Sequence, residues 1–325
     1  RLSRWLQQCT YAPSGRAHYR LAELPPGELH AGGKARSLAA MFQDGLPVPD
    51  GVVLLPEAFD GDALTTEAGQ RLADELARLG RDHRFAVRSS ALSEDSAADS
   101  FAGAYESVLD VPADQVPTTL ATVRASGRAA RVAAYAAARG AEDVGEVAVV
   151  IQLMVPAERA GVLFTVDPLT RELDTMLGNT VTGLGEALVS GVATATEFRL
   201  HRPDGALTGP DELRPIGTRL HDVAHRVETV FGGVPQDIEW AVADGKVWVL
   251  QARPITTLSA FTPRTAQYND SLAGNCLWSA TNLSEANPVP QTPLTISMMR
   301  HQQAHGGPSM AIRGREMAGY IGGRP

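Results

Sequence analysis

The chain has 325 residues, 44% of them hydrophobic, enough for sizeable cores spread over two or three subdomains. A net charge of −8 argues against a general nucleic-acid binder and is still compatible with a local cationic pocket for phosphate. No apolar run reaches the ~18–20 residues of a membrane span and no basic-then-apolar leader opens the sequence. Its two cysteines, Cys9 and Cys276, show neither metal-ligand spacing nor a disulfide pattern, so neither membrane nor nucleic acid is expected as a partner and a cytoplasmic setting is. A start at Arg1 and an end at Pro325 suggest a piece of a longer protein.

Taken in order, residues 1–30 carry scattered cations (Arg1, Arg4, Arg16, Arg20) without a pattern. Ala31-Gly32-Gly33-Lys34-Ala35 then opens a helical pattern through Leu38, Met41 and Phe42. Glycines at a helix start expose backbone donors, and Lys34 is placed to reach a phosphate there, although the spacing is not that of a Walker A loop. A Pro- and Gly-bounded turn over 45–51 leads into an apolar strand, Val52–Leu55, and a helix is expected over 64–79.

Arg84–Ser90 reads as a short buried strand ending in Arg88 and two hydroxyls. After it come the small-residue loop 93–100 and a second strand beginning around Phe101–Leu109. That arrangement suits a flap over phosphates with Arg88 and Ser107 as donors, and equally a surface loop with capping serines. An alanine- and arginine-rich scaffold helix follows over roughly 114–139. Glu146–Val155 is a buried strand with one polar residue, Gln152; ending in Met154 and Val155, it can form an adenine edge or simply a core strand. Ala160–Pro168 is another strand. The glycines of 178–191 open a helix at Gly183 and Gly185 without completing a dinucleotide fingerprint, Phe198–Leu200 is edge-like, and a helix runs over about 219–231.

The stretch from Pro235 to Pro254 reads as two strands joined at Ala243-Asp244-Gly245. Alternation sends Asp237 and Glu239 to one face and Ile238 and Trp240 to the other. A two-residue turn pairs Glu239 with Leu250 and Trp248. A three-residue loop with a left-handed Gly245 instead gathers Glu239, Gln251 and Arg253, and places Ile238, Trp240, Trp248 and Leu250 together on an apolar face. The three-residue loop is expected because it sorts both faces cleanly. Oxygen ligands beside an arginine suit magnesium holding nucleotide phosphates, and they also suit an amphipathic hairpin with a salt-bridged rim. Beyond Pro254 residues 258–275 look like a linker. A domain boundary is expected near 258, with 259–325 as linker and the start of a substrate or acceptor domain.

Together these stretches resemble the ATP-binding half of the pyruvate phosphate dikinase and phosphoenolpyruvate synthase family, which includes rifampicin phosphotransferase. The resemblance rests on Gly32-Gly33-Lys34-Ala35, Gly45–Pro49, Val87-Arg88-Ser89-Ser90, Ser100–Gly103, Gln152–Val155, Gly161–Thr165, Gly183–Glu186 with Val189-Ser190-Gly191, Gln236–Trp240 and Leu250–Pro254, in order over about 31–256.

That resemblance implies an α+β ATP-grasp fold whose two subdomains, within 1–258, clasp ATP and Mg2+. It implies phosphate contacts from Lys34, Arg88, Ser107 and Arg253, and an adenine border of Gln152, Met154 and Val155. Glu239 and Gln251 would be the metal ligands, with Asp237 in support. It further implies transfer of the β-phosphoryl of ATP to a histidine on a separate phosphocarrier domain of the parent chain, and onward to a small-molecule acceptor. Phe101-Ala102-Gly103 is followed by Ala104 where the family has glutamine, and Ala195 stands where proline is common. No residue matches the mobile histidine's motif, and His301 and His305 are expected to be surface histidines. Trp278–Ala286 with Thr292–Thr295 is similar to the entry of the rifampicin phosphotransferase-like acceptor domain, more so than to true phosphoenolpyruvate synthases.

Overall fold

The computed structural model describes residues 16–90, 107–137, 147–170, 172–185, 195–255, 258, 261, 262, 267 and 268, and for 127–137 the backbone alone. The chain divides into two compact units, Arg1–Phe231 with Pro235–Thr257 and Gly232–Val234 with Leu258–Pro325. In the second, Phe261–Thr262 pairs antiparallel with Gln267–Tyr268.

In chain order the first unit runs through strand β1 (His18–Arg20), helix α1 (Gly32–Gln43), strand β2 (Gly51–Leu54) and the small pair β3 (Phe59–Asp60) and β4 (Ala63–Leu64). Helix α2 (Thr66–Leu79), strands β5 (Arg84–Ser90) and β6 (Ser107–Pro112) and helix α3 (Val116–Ala137) follow. Strands β7 (Ala148–Leu153), β8 (Arg159–Phe164), β9 (Thr175–Thr182), β10 (Thr196–His201) and β11 (Leu207–Thr208) lead to helix α4 (Arg214–Val230). The hairpin β12 (Gln236–Ala243) and β13 (Lys246–Pro254) closes the unit. A five-stranded sheet has the order β1-β2-β7-β5-β6 and a six-stranded sheet the order β11-β10-β9-β8-β12-β13. Every pairing within them is antiparallel. The class is α+β, as the resemblance implies.

Period-two alternation decides how the layers pack. Val52, Leu54, Phe85, Val87, Val149 and Ile151 turn one way, onto Leu72, Leu76 and Leu79 of α2 and Val116, Leu120 and Val123 of α3. Val53, Ala148 and Val150 turn the other way, into a core that includes Ala35, Leu38 and Met41 of α1. This core continues through Leu163, Phe198, Ile238, Trp240 and Val249 to Leu220, Ala224 and Val227 of α4. Helix α1 is therefore shared by both sheets. Capping follows the sequence at α2, where the Thr65 side chain accepts from the Ala68 amide and Gly80 ends the helix at φ 98°.

Several expectations need correction. Helix α4 begins at Arg214, earlier than the apolar pattern suggests, because Pro215 is tolerated in a first helical turn. Residues 178–182, which open the run of glycines, belong to strand β9, and Gly178 is required there because the Phe198 ring lies 2.2 Å from where a Cβ would stand. Strand β10 is covered by β11 and so is not an edge. The helix expected after Gly185, the loop 91–106 and the tail after 268, with His301 and His305, lie outside the described residues.

A buried ion cluster ties β1, α2 and the turn before β2. Glu75, 6% exposed, accepts from Arg20 Nε at 2.9 Å and Arg78 Nε at 2.6 Å, and Arg78 Nη1 donates to Asp50 at 2.7 Å. Burial by itself pushes the Glu75 carboxyl up, and the bonds from the two arginines outweigh it, holding the group below its usual 4.5. Its contribution is thus present above the unfolded value and is lost as pH falls through the lowered folded one. Glu75→Gln is expected to cost about 2 kcal/mol in urea unfolding at pH 7, with the gap to wild type closing at pH 3.

Candidate nucleotide site

Helix α1 begins without a side-chain cap of its own. Instead the Ser90 hydroxyl, at the end of β5, accepts from the Ala35 amide at 3.0 Å and donates to the Ala31 carbonyl at 2.7 Å. Gly32 makes that approach possible, since a Cβ there would stand 2.5 Å from the carbonyl carbon of Ser90. Lys34, buried on the first turn, donates to the Ser89 carbonyl at 3.1 Å, one residue from Arg88. Ser37 donates to the Ala252 carbonyl at 2.7 Å and so joins the same helix to β13. The sequence showed two hydroxyls after Arg88 but gave no sign that one of them would fasten the Gly-Gly-Lys helix.

Arg88 reaches from the five-stranded sheet to the hairpin of the other. Its Nη1 donates to the Leu250 carbonyl at 3.1 Å and its Nη2 lies 3.6 Å from Glu239 Oε2, while its buried Nε has no partner. Across the strand pair Arg88 faces Ser107, which is exposed.

The hairpin corrects the expected loop. Ala243 pairs with Lys246, so the turn is two residues, Asp244-Gly245, with φ of 51° and 68°, both left-handed as a tight twisted turn requires. The register that the longer loop was meant to supply comes from a bulge: Trp240 pairs with Val249 but Glu239 with Gln251, which leaves Leu250 as the extra residue. Glu239 and Gln251 become direct cross-strand neighbours, as do Asp237 and Arg253, with Arg253 Nε bonded to Asp237 Oδ2 at 2.9 Å. Trp248 now pairs with Ala241 and leaves the face of Ile238 and Trp240; it and Leu250 join Val155, Ala157, Ala160, Ala241 and Ala243 in a separate apolar cluster. Lys246 lies over the Trp248 ring at 3.6 Å.

Of the expected adenine border, Val155 lies in this cluster beside the hairpin. Met154 is half-buried and its amide donates to the Arg84 carbonyl at 2.8 Å. Gln152 is buried inside the five-stranded sheet and donates to the Pro49 carbonyl at 3.0 Å, so its amide nitrogen is committed to the fold.

Burial pushes the Asp237 carboxyl up, the neighbouring Glu239 adds to this, and the charge and hydrogen bond of Arg253 oppose it. Its Oδ1 is buried without a partner. A raised carboxyl lowers stability as pH rises through its folded value, so at pH 7 the ionised form is held at a cost. Asp237→Asn is expected to stabilise the nucleotide-free chain by about 1 kcal/mol at pH 7 while weakening ATP binding; thermal melting and calorimetry on one preparation check both.

Among the described residues no three His, Cys, Asp or Glu side chains gather as a metal centre, and no helix is long and apolar enough to cross a membrane. Glu239 and Gln251 nevertheless supply adjacent oxygens beside the unpartnered Asp237 oxygen, a hard donor set of the kind magnesium takes when phosphates complete its shell.

Residues 62–211 and 217–272 match the family model of the pyruvate phosphate dikinase AMP/ATP-binding domain. Among curated proteins the chain is 31% identical to the prodigiosin synthesizing transferase PigC of Serratia marcescens, over 87% of this chain and 38% of that one. It is also 31% identical to a probable phosphoenolpyruvate synthase of Methanothermobacter thermautotrophicus, over 72% of this chain and 45% of the relative. To a rifampicin phosphotransferase of Bacillus cereus it is 32% identical, over 58% of this chain and 25% of the relative. The chain thus spans less than half the length of each of these relatives.

Proposed function

Because this chain belongs to the pyruvate phosphate dikinase AMP/ATP-binding domain family, we propose that it is the ATP-grasp module of a longer dikinase-type phosphotransferase. It binds ATP with magnesium and presents the β-phosphoryl to a histidine on another domain of the parent chain. That domain passes the group to a small-molecule acceptor, with release of AMP and phosphate. The observation that carries this reading is the paired face of the hairpin, Glu239 beside Gln251 and Asp237 beside Arg253, with Arg88 reaching it from the other sheet.

Each side chain has a task that its placement suits. Arg88 and Arg253 offer planar donors to phosphate oxygens, Lys34 adds a point charge at the start of α1, and Ser107 a hydroxyl opposite Arg88. Glu239 and Gln251 hold the metal, and Asp237 orients Arg253 through its bond to Nε. Magnesium, when bound, neutralises charge on the phosphates. Val155, with Leu250 and Trp248, forms an apolar wall for the base, Met154 flanks it, and Gln152 fixes the strand that carries them. Phosphoryl transfer depends mainly on positioning and charge neutralisation, so a module with these groups needs no nucleophile of its own.

The acceptor is assigned to the rifampicin phosphotransferase-like class from the residues over 278–295. Phosphoenolpyruvate synthase is the second reading, favoured by the relative of that name at 31% identity. Incubating the full parent chain with ATP and either pyruvate or an aromatic small-molecule acceptor, and following AMP, separates the two. The setting is cytoplasmic. The module itself is tested by calorimetry: the purified chain should bind ATP with Mg2+, and Glu239→Ala and Arg253→Ala should each weaken binding. No detectable binding, or affinity unchanged in both variants, contradicts the reading.

A further inference from the structure

Away from the hairpin's polar face, α4 turns two histidines spaced by four residues toward one backbone oxygen. His221 Nε2 lies 2.6 Å from the Arg202 carbonyl oxygen and His225 Nε2 lies 3.2 Å from it. The two Nε2 atoms are themselves 3.2 Å apart, and their rings meet edge to face at 80°. Two imidazole nitrogens and a carbonyl oxygen therefore converge within one hydrogen-bond length of each other.

A carbonyl oxygen has two lone pairs and can accept from both imidazoles, but two N–H donors whose nitrogens lie 3.2 Å apart then repel each other. Two of the three separations, the 3.2 Å between the Nε2 atoms and the 3.2 Å from His225 to the carbonyl, are close to those between ligands on one ion. Donors about 2.1 Å from a tetrahedral zinc lie about 3.4 Å apart. The 2.6 Å from His221 to the carbonyl is a hydrogen bond that an ion would have to replace and widen. The outer nitrogens are backed by carboxylates, with His221 Nδ1 3.6 Å from Asp222 and His225 Nδ1 4.0 Å from Glu228. These distances are longer than hydrogen bonds, and an acid that closes the gap would orient a metal-bound histidine in the usual way. Glu228 is itself fixed, accepting from Thr165 Oγ1 and from Arg202 Nη2 at 2.7 Å. His221 is further confined by the turn at Gly205, where a Cβ would meet its ring at 3.1 Å. The other nearby histidine, His201, is engaged with Asp204 at 2.8 Å.

We propose that His221, His225 and the Arg202 carbonyl form a binding site for a borderline divalent transition ion of the zinc class, with water completing its shell. Imidazole nitrogens select such ions over magnesium, so this site is chemically distinct from the oxygen donors Glu239 and Gln251. It lies on α4, whose Leu220, Ala224 and Val227 pack with Ile238 and Trp240, so it lies on the side of β12 away from Glu239. An ion there would pin α4 to the turn after β10.

The test is zinc titration of the tag-free chain by calorimetry in excess Mg2+ without nucleotide. One Zn2+ per chain is expected, together with a higher melting temperature. Affinity should fall at least about tenfold in His221→Gln and in His225→Gln and stay unchanged in Glu239→Ala. A readout that needs no variant is protection from diethyl pyrocarbonate: zinc should shield His221 and His225 while leaving the exposed His30 reactive. Absence of binding, binding that both glutamine variants retain, or equal modification of the pair with and without zinc each overturns the proposal.

Discussion

Arg88→Ala is expected to lower the affinity for ATP with Mg2+ by at least about two orders of magnitude, from loss of two or more charge-assisted hydrogen bonds of roughly 1.5–3 kcal/mol each. The reason is its position between sheets. A guanidinium anchored on the Leu250 carbonyl at 3.1 Å and 3.6 Å from Glu239 leaves a buried Nε without a partner, a donor available to an anion. Its removal also leaves Glu239 facing the phosphates without that neighbouring cation. Arg88→Lys should recover only a small part of the loss, because an ammonium cannot hold the carbonyl and a phosphate in one plane. Calorimetric titration of both variants against wild type checks this; a lysine variant of full affinity would reduce Arg88 to a point charge.

Gly32→Ala carries the largest expected effect on stability, about 3 kcal/mol or more. Its φ of 75° disfavours any side chain, and the added Cβ would meet the Ser90 backbone carbon and oxygen at 2.5 Å and the hydroxyl at 2.6 Å. Two of those atoms are backbone, so the helix start and the end of β5 must separate, carrying Lys34 off Ser89. Gly69→Ala is the contrast, an interior glycine of α2 with open space around it, where alanine should add about 0.5–1 kcal/mol. Denaturant unfolding of the pair checks the sign of both.

Much of this was legible beforehand because two signals coincided at each place. Alternation put Asp237 and Glu239 on one face, β5 ended in Arg88 and two serines, and Gly-Gly-Lys opened a helix; all three meet around the hairpin. The hairpin's register was reached by the wrong device. Clean sorting of faces demanded an offset of one residue, and the turn was the only visible place for it. Asp-Gly in fact makes the two-residue turn its chemistry favours, and the offset sits at Leu250, since a bulge is set by twist and neighbouring strands and leaves no compositional mark. Trp248 was misplaced for the same reason. For Gln152 the sequence left an adenine edge and a core strand equally open, and its partner is the carbonyl of Pro49, 103 residues away, which no local pattern reveals. Strand β9 was hidden by Gly178, which makes room for the Phe198 ring packed on it.

The most direct measurement is the magnesium-dependent gain in ATP affinity, taken as the ratio of affinities with and without Mg2+, in wild type and in Glu239→Ala. If Glu239 and Gln251 hold the metal that binds the triphosphate, the gain should be clear in wild type and vanish in the variant. Metal-free ATP should bind the variant at least as well, because a negative charge beside Arg88 has gone. A magnesium gain of equal size in both proteins would contradict the site described here.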